Sequence, residues 1–391
     1  MKINFSKYVI LISFILFSFC SCFDDKCLNA NVIVNKEVYK DFQPLWELYK
    51  EDSKGGWLNN DLGRFSNDDA AVLEGLVYLY ESTSDEIYLK HFFEISDRLN
   101  ERDDISRNLA DKYRDSKVLL GWSSTRYTHD NSRHIFNLDD ALILFPYVKL
   151  YNILIKEKSY KINLLYKRKG LKLLQRAESE FKTVFLNDWK QITPHSGFFQ
   201  DPYFTFIDTH MPVNQLSIVG QLSLDLYIAT DDILYKNFTI QTANFLKNNL
   251  KVINGAYVWN YNLPFSPIDT RTYGKDDVGH GSWVTLFIVN CFENNIVFKR
   301  NDVDCLSNMF VENISKGNGI FSQDIDGEGV SKEPIINHYY MLSTYDRKVK
   351  KIMDDYYYTR TVLLDPNSFL NHVGYHHILY FALKTKYNEK M

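Results

Sequence analysis

Residues 79–88 read LYESTSDEIY and residues 226–235 read LYIATDDILY. Both hold Leu-Tyr-x-x-Thr-x-Asp-x-x-Tyr. In each, an apolar run of helical period ends at the Leu-Tyr pair and a short polar turn follows. Asp85 or Asp232 then stands where a helix N-cap belongs, ahead of a second helical run reaching Leu99 or Leu246. This is a helical hairpin written twice. Leu150-Tyr151 to Tyr160 reads as a degraded third copy. A lone hairpin cannot bury its apolar face, so neighbours must pack side by side. Counted in units of roughly 50 residues, the two copies lie three hairpins apart and the mature chain holds six or seven.

The rest of the chain is also helical in pattern. Asn67-Asp68 reads as a cap for the run Val72, Leu73, Leu76, Val77 and Tyr80, and Asn137 with Asp140 as a capping-box variant opening a helix from Leu138 to about Ile155. Pro146 is expected to kink that helix. Pro212 suits a first-turn position ahead of Leu216–Ala229. Strand signals are short and confined to loops, as at Gly255–Tyr261. Alternate loops are long and chemically loaded while the others are short, and no Pro- or Gly-rich linker divides the chain. The expected fold is all-α, an (α/α) toroid of six or seven hairpins with its long loops gathered over a central cavity, in one domain from residue 39 to 391.

Three of those loops are RHIFNLDD at 133–140, HMPVNQ at 210–215 and RTYGKDDVGHGSW at 271–283. Each places His, Asn, Asp or Arg immediately before an apolar helical run, which points to one polar cleft built from distant segments. The 391 residues are 45% hydrophobic and 24% charged, a globular balance. The net charge of −4 turns more negative once Lys2 and Lys7 leave with the leader, and no basic run exists, so nucleic acid is not an expected partner. The 27 Tyr and 27 Phe offer faces for sugar stacking, beside the plainer reading of codon bias.

The first 21 residues read as a signal: Lys2 and Lys7 form the positive region and Tyr8–Phe19 is too short to cross a bilayer. The stretch Phe19-Cys20-Ser21-Cys22 resembles a bacterial lipoprotein box with Cys22 as the lipidated residue, and Asp24-Asp25 resembles the export tag of Bacteroidetes surface lipoproteins. Residues 22–38 would be a tether, the lipid the only membrane anchor, and the outer-membrane surface the location. Of the remaining cysteines, Cys291 and Cys305 could pair or stay as buried thiols; neither they nor Cys27 has metal-ligand spacing. Asp324-Ile-Asp326-Gly-Glu328 starts like a calcium loop but lacks the later bidentate Glu and reads better as a polar turn. No metal or cofactor is expected.

Asn214-Gln215 after a Pro, Trp259-Asn260-Tyr261 and Asp276-Asp277-Val278-Gly279-His280-Gly281 together resemble motifs of (α/α)-toroid carbohydrate-active proteins, and more particularly of polysaccharide lyases acting on uronates. The resemblance implies β-elimination of an acidic polysaccharide of alginate or glucuronan type by a monomer. Such a lyase must neutralise the C6 carboxylate, remove the C5 proton and protonate O4. Asn214 and Gln215 sit in a first helical turn, where free N–H groups favour an anion. His280 is the candidate base, with Asp277 holding one ring nitrogen and Gly281 allowing close approach. Tyr261 and Tyr273 are acid or base candidates. Arg271, Arg133, His134 and His129 are candidates for the substrate carboxylate or the cleft wall, and Trp259 and Trp122 for stacking. The runner-up is a toroid glycoside hydrolase, with Asp139 or Asp140 facing Asp276 or Asp277 as its two carboxylates. A non-catalytic surface glycan binder is the third reading.

Overall fold

The computed structural model describes residues 25–52, 59–156, 164–207, 211–263, 274–331, 335–363 and 373–388. The chain divides into two compact units, residues 1–45 and 46–391, and the second carries the ring and the cleft.

Eleven longer helices are present among the described residues: α1 Asp25–Asp52, α2 Ala70–Thr83, α3 Glu86–Asn100, α4 Asn137–Lys156, α5 Leu164–Thr183, α6 Val213–Thr230, α7 Ile233–Asn249, α8 Val278–Glu293, α9 Arg300–Asn308, α10 Arg347–Leu363 and α11 Val373–Asn388. A 3₁₀ segment, Asn337–Thr344, lies between α9 and α10. Helix packing makes a closed circuit: α2 touches α4, α4 touches α6, α6 touches α8, α8 touches the 3₁₀ segment, that segment touches α11, and α11 returns to α2. Outside this ring α3 packs on α2, α5 on α4, α7 on α6, α9 on α8 and α10 on the 3₁₀ segment. The expected (α/α) toroid is what forms.

The sequence accounts for both layers. Inner helices are apolar on nearly every face, as helices surrounded by others must be; in α6 every residue from Val213 to Leu226 is buried. Outer helices are one-sided, as in α3, where Tyr88, Leu89, Phe92, Phe93, Ile95 and Leu99 are buried in a three-to-four period.

The repeated decamer folds twice into the same turn. Ser84 and Asp231 take left-handed φ of 53° and 57°. Thr83 Oγ1 donates to Leu79 O (2.7 Å) and accepts from Asp85 N (3.2 Å), as Thr230 Oγ1 donates to Leu226 O (2.8 Å) and accepts from Asp232 N (3.2 Å). Asp85 and Asp232 cap the following helices through Ile87 N and Leu234 N. Replacing Asp232 by Ala should cost about 0.5–2 kcal/mol, read as a lower urea midpoint; an unchanged midpoint would mean the cap is idle.

The copies lie two hairpins apart, not three, with α4–α5 between them. Each unit is longer than expected because the return from outer to inner helix carries a small antiparallel pair: β1 Ala110–Asp111 with β2 Lys117–Val118, β3 Trp189–Thr193 with β4 Ser196–Phe199, β5 Lys251–Ile253 with β6 Ala256–Val258, and β7 Ser315–Gly317 with β8 Ile320–Phe321. Two capping expectations also differ. The chain is already π-helical over Phe65–Asp69, so Asn67 donates to Gly63 O (2.6 Å) and does not cap α2. Asp140 accepts from Trp122 N rather than reaching back to Asn137, whose N–H goes to Asp201 Oδ2 (2.9 Å). Helix α4 runs on through Pro146 as a single helix. Cys291 and Cys305 are buried free thiols.

Candidate active site

Inner helices of an (α/α) ring all start at the same rim, and here their N-terminal turns converge. A cleft of about 190 Å³ is lined by Ser66 and Asn67 ahead of α2, Leu138 and Leu142 of α4, Asn214 of α6, Asp277, Gly279, His280 and Trp283 at α8, and His376 of α11. Ala71 of α2, Arg126 and Tyr127 from the loop before α4, and Ile335 also line it.

Three of these helices are preceded or opened by an Asp-Asp pair. The first pair is structural: Asp69 accepts from Tyr49 Oη (2.5 Å) and Arg98 Nη2 (2.7 Å), while Asp68 pairs with Arg64 (2.8 Å).

In the second pair, Asp140 turns away from the cleft. It accepts from Trp122 N at 3.2 Å, and burial, followed by the charge of neighbouring Glu180, holds its pKa well above the carboxylate range. Asp139 differs. It is 1% exposed and hydrogen-bonded with Ser66, and its Oδ2 has no hydrogen-bond partner. Burial pushes it up to about 6 against the pull of Arg126. Tyr127, pushed up to about 12 by burial and by the charge of Asp139, stands beside it on the cleft wall.

The third pair opens α8. Residues 274–278 are laced between two loops, with Tyr261 N donating to Gly274 O (3.0 Å) on one side and Val278 N and Ile325 N bonded to Gln323 O (2.9 Å) and Asp276 O (3.0 Å) on the other. Asp277 caps the helix, accepting from His280 N at 2.9 Å, and its Oδ2 is in ion-pair contact with His280 Nδ1. Burial opposes the charged forms of both, yet their mutual attraction prevails, lowering Asp277 and raising His280. Asp276 is fully buried and accepts from the Trp259 indole (2.7 Å); burial lifts it to about 7, only partly offset by His280. Tyr261 stacks on the His280 ring at 5.0 Å.

The cleft therefore unites Asn214, Asp277 and His280, with Tyr261 against His280, as the loop pattern suggests. Asn214 is not a cap: it is 3% exposed, lines the cleft, and its Oδ1 has no partner. Gln215 is buried beside it but is not a lining residue. The remaining candidates fall elsewhere. His134 is wholly buried between Asp111 (3.0 Å) and Asp201 (2.8 Å), locking the loop before α4 to the β4 end. Arg133 pairs with Asp61, and His129, exposed, donates its backbone N–H to Tyr203 Oη (3.1 Å). Trp122 is 1% exposed and donates to Leu99 O (2.8 Å), and Trp259 is the buried prop of Asp276, so neither is a stacking platform. Gly281 serves packing rather than ligand approach, since a Cβ there would lie 2.6 Å from Tyr339 Oη. Arg271, Tyr273 and Cys22 lie outside the described residues.

Sequence reasoning missed Arg126, Tyr127, Trp283 and His376. Trp283 lies inside the third polar loop and was readable there; the others carry no local mark. It also missed the buried link inside the ring, where His338 faces Glu74 (3.1 Å) through Nε2 and Ser282 (3.1 Å) through Nδ1.

No protein-family model matches the chain, and no curated protein matches it either. Solved structures do. An inactive variant of the alpha-1,6-mannanase GH76A of Salegentibacter sp. HEL1_6, with two consecutive aspartates replaced and in complex with alpha-1,6-mannotetrose, superposes with a TM-score of 0.51 at 13% identity, over 88% of this chain and 98% of that one. The unaltered GH76A mannanase of the same organism gives 0.50 at 13% identity with the same coverage. The likeness is one of fold. It corrects the expectation of a lyase, because the toroids that match are glycoside hydrolases, with a mannooligosaccharide and not an acidic sugar bound in one. Burial and the charges of Asp276 and Asp277 raise the Tyr261 pKa, opposing a proton-abstracting role.

Proposed function

We propose that the chain is a glycoside hydrolase acting on an α-linked mannose oligosaccharide or polysaccharide, with Asp139 as the general acid. The observation that carries this is the position of Asp139: a buried carboxyl with one oxygen unpaired, its pKa raised by burial to about 6, set behind the cleft-lining residues Ser66, Arg126 and Tyr127. Hydrolysis of a glycosidic bond needs a carboxylic acid to protonate the leaving oxygen, and a second function on the opposite face of the sugar to deliver the attacking group. A carboxyl near 6 holds its proton in mildly acidic solution, keeps about a tenth of it at pH 7, and releases it readily. The facing function falls to the Asp276–Asp277–His280 wall, since Asp277 is the one carboxylate among the described lining residues. Support for the sugar comes from the mannanase fold likeness and its mannotetrose complex.

The test is incubation of the purified chain with alpha-1,6-mannotetraose and alpha-1,6-mannan in oxygen-18 water. New reducing ends carrying the heavy oxygen are expected. Intact substrate, or unsaturated products without reducing ends from water, would overturn the reading.

A further inference from the structure

We propose that Asp276, Asp277 and His280 form a binding site for a divalent transition-metal ion, of zinc or manganese type, opening on the cleft. One donor atom from each residue lies within 4.8 Å of the others. All three come from one rigid turn, at i, i+1 and i+4 across the start of α8, whose backbone is fixed by the flanking loops.

The independent sign is Asp276. Its Oδ2 is held by the Trp259 indole (2.7 Å), while Oδ1, in a residue with no exposed surface, has no hydrogen-bond partner and lies 3.7 Å from His280 Nδ1. A fully buried carboxylate oxygen left without a donor is costly and rare. A cation beside it removes that cost. The half positive charge of a helix N-terminus opposes a cation, but two carboxylates outweigh it.

Support around the donors is of the kind that tunes metal sites: the indole orients Asp276, the α8 amide of His280 orients Asp277, and the Tyr261 ring holds the imidazole plane. An imidazole with two carboxylates suits zinc, manganese or iron(II) better than calcium, which takes oxygen ligands. Three protein donors leave positions open, and Asp277 and His280 both line the cleft. Water or two vicinal sugar hydroxyls would complete the shell there. The site stands without the hydrolase reading, because it is measured with no sugar present.

The experiment is isothermal titration calorimetry of the full chain with zinc and manganese, beside His280→Ala, Asp276→Asn and the double variant Asp326→Asn/Glu328→Gln. The double variant removes the nearby Asp324–Asp326–Glu328 group, a rival for the ion. One ion per chain is expected, with affinity lowered at least about tenfold by His280→Ala and Asp276→Asn and kept in the double variant. Cobalt(II) absorption is expected in the wild type and absent from His280→Ala, which reads the imidazole directly even if Asp276→Asn fails to fold. No binding by the wild type, equal binding by His280→Ala, or loss in the double variant alone would overturn the site.

Discussion

Asp139→Asn should lower mannoside hydrolysis by about 100- to 10,000-fold, the usual range for losing a general acid, with the helical circular dichroism intact. The substitution keeps shape and removes the proton. Its structural cost should be small, because the unpaired Oδ2 supports nothing and what is weakened is the Ser66 hydrogen bond and the attraction of Arg126 and His134. In the wild type the acid form of Asp139 dominates below about 6 and declines above it, so kcat/KM should fall on the alkaline side with an inflection near that value. The inflection belongs to the residue and should vanish from whatever activity the variant retains. Activity within tenfold of wild type, or an unchanged alkaline limb, would remove Asp139 from the mechanism.

His134→Ala should destabilise the fold by about 3–5 kcal/mol, since deleting one member of a buried ion pair strands its partners. Asp111 and Asp201 would be left facing each other, with Arg114, also buried, as the nearest compensating charge. Burial works against the imidazolium, but Asp201 and Asp111 outweigh it and lift the pKa to about 9. The folded value lies above the unfolded one of about 6.5. The extra stability is therefore complete below about 6.5 and disappears as the pH climbs through 9. Urea midpoints measured from pH 6 to 10 should decline across that window in the wild type and stay flatter in His134→Ala. Parallel slopes would show that His134 is not the titrating lock.

Local signals in the sequence translate well. The Thr-x-Asp turn is legible because its hydrogen bonds all close within five residues, and the alternation of loaded and short loops points to a ring. What depends on partners far along the chain is not legible. A histidine before an apolar helix looks the same whether it faces a sugar or, like His134, two carboxylates 23 and 67 residues away. His338 and Glu74 are 264 residues apart, and nothing in either neighbourhood announces the other. Trp122 and Trp259 pass for platforms because an indole with a buried hydrogen-bond acceptor cannot be told from one open to solvent. The convergence of three loops holds through Asn214 and His280 and fails at Arg133, whose place is taken by Arg126 and Tyr127 of the same loop. Asn-Gln and His-Gly motifs suit elimination as readily as hydrolysis when only their residue types are visible. What a bare Asp-Asp dipeptide hides is that burial and pairing give Asp139 and Asp140 different surroundings, one beside Ser66 and Arg126 and the other against Trp122 N and Glu180.

The four β-pairs all sit in returns from outer to inner helix, on the rim where the cleft opens, while tight turns such as Ser84-Asp85 and Asp231-Asp232 occupy the far rim. Lengthening a flexible return costs only about 0.6 kcal/mol per doubling, and the ring contacts beneath need not adjust. New recognition can thus be grafted at one rim by insertion while the other guards helix register. Specificity and foldability are inherited from separate ends of the same molecule.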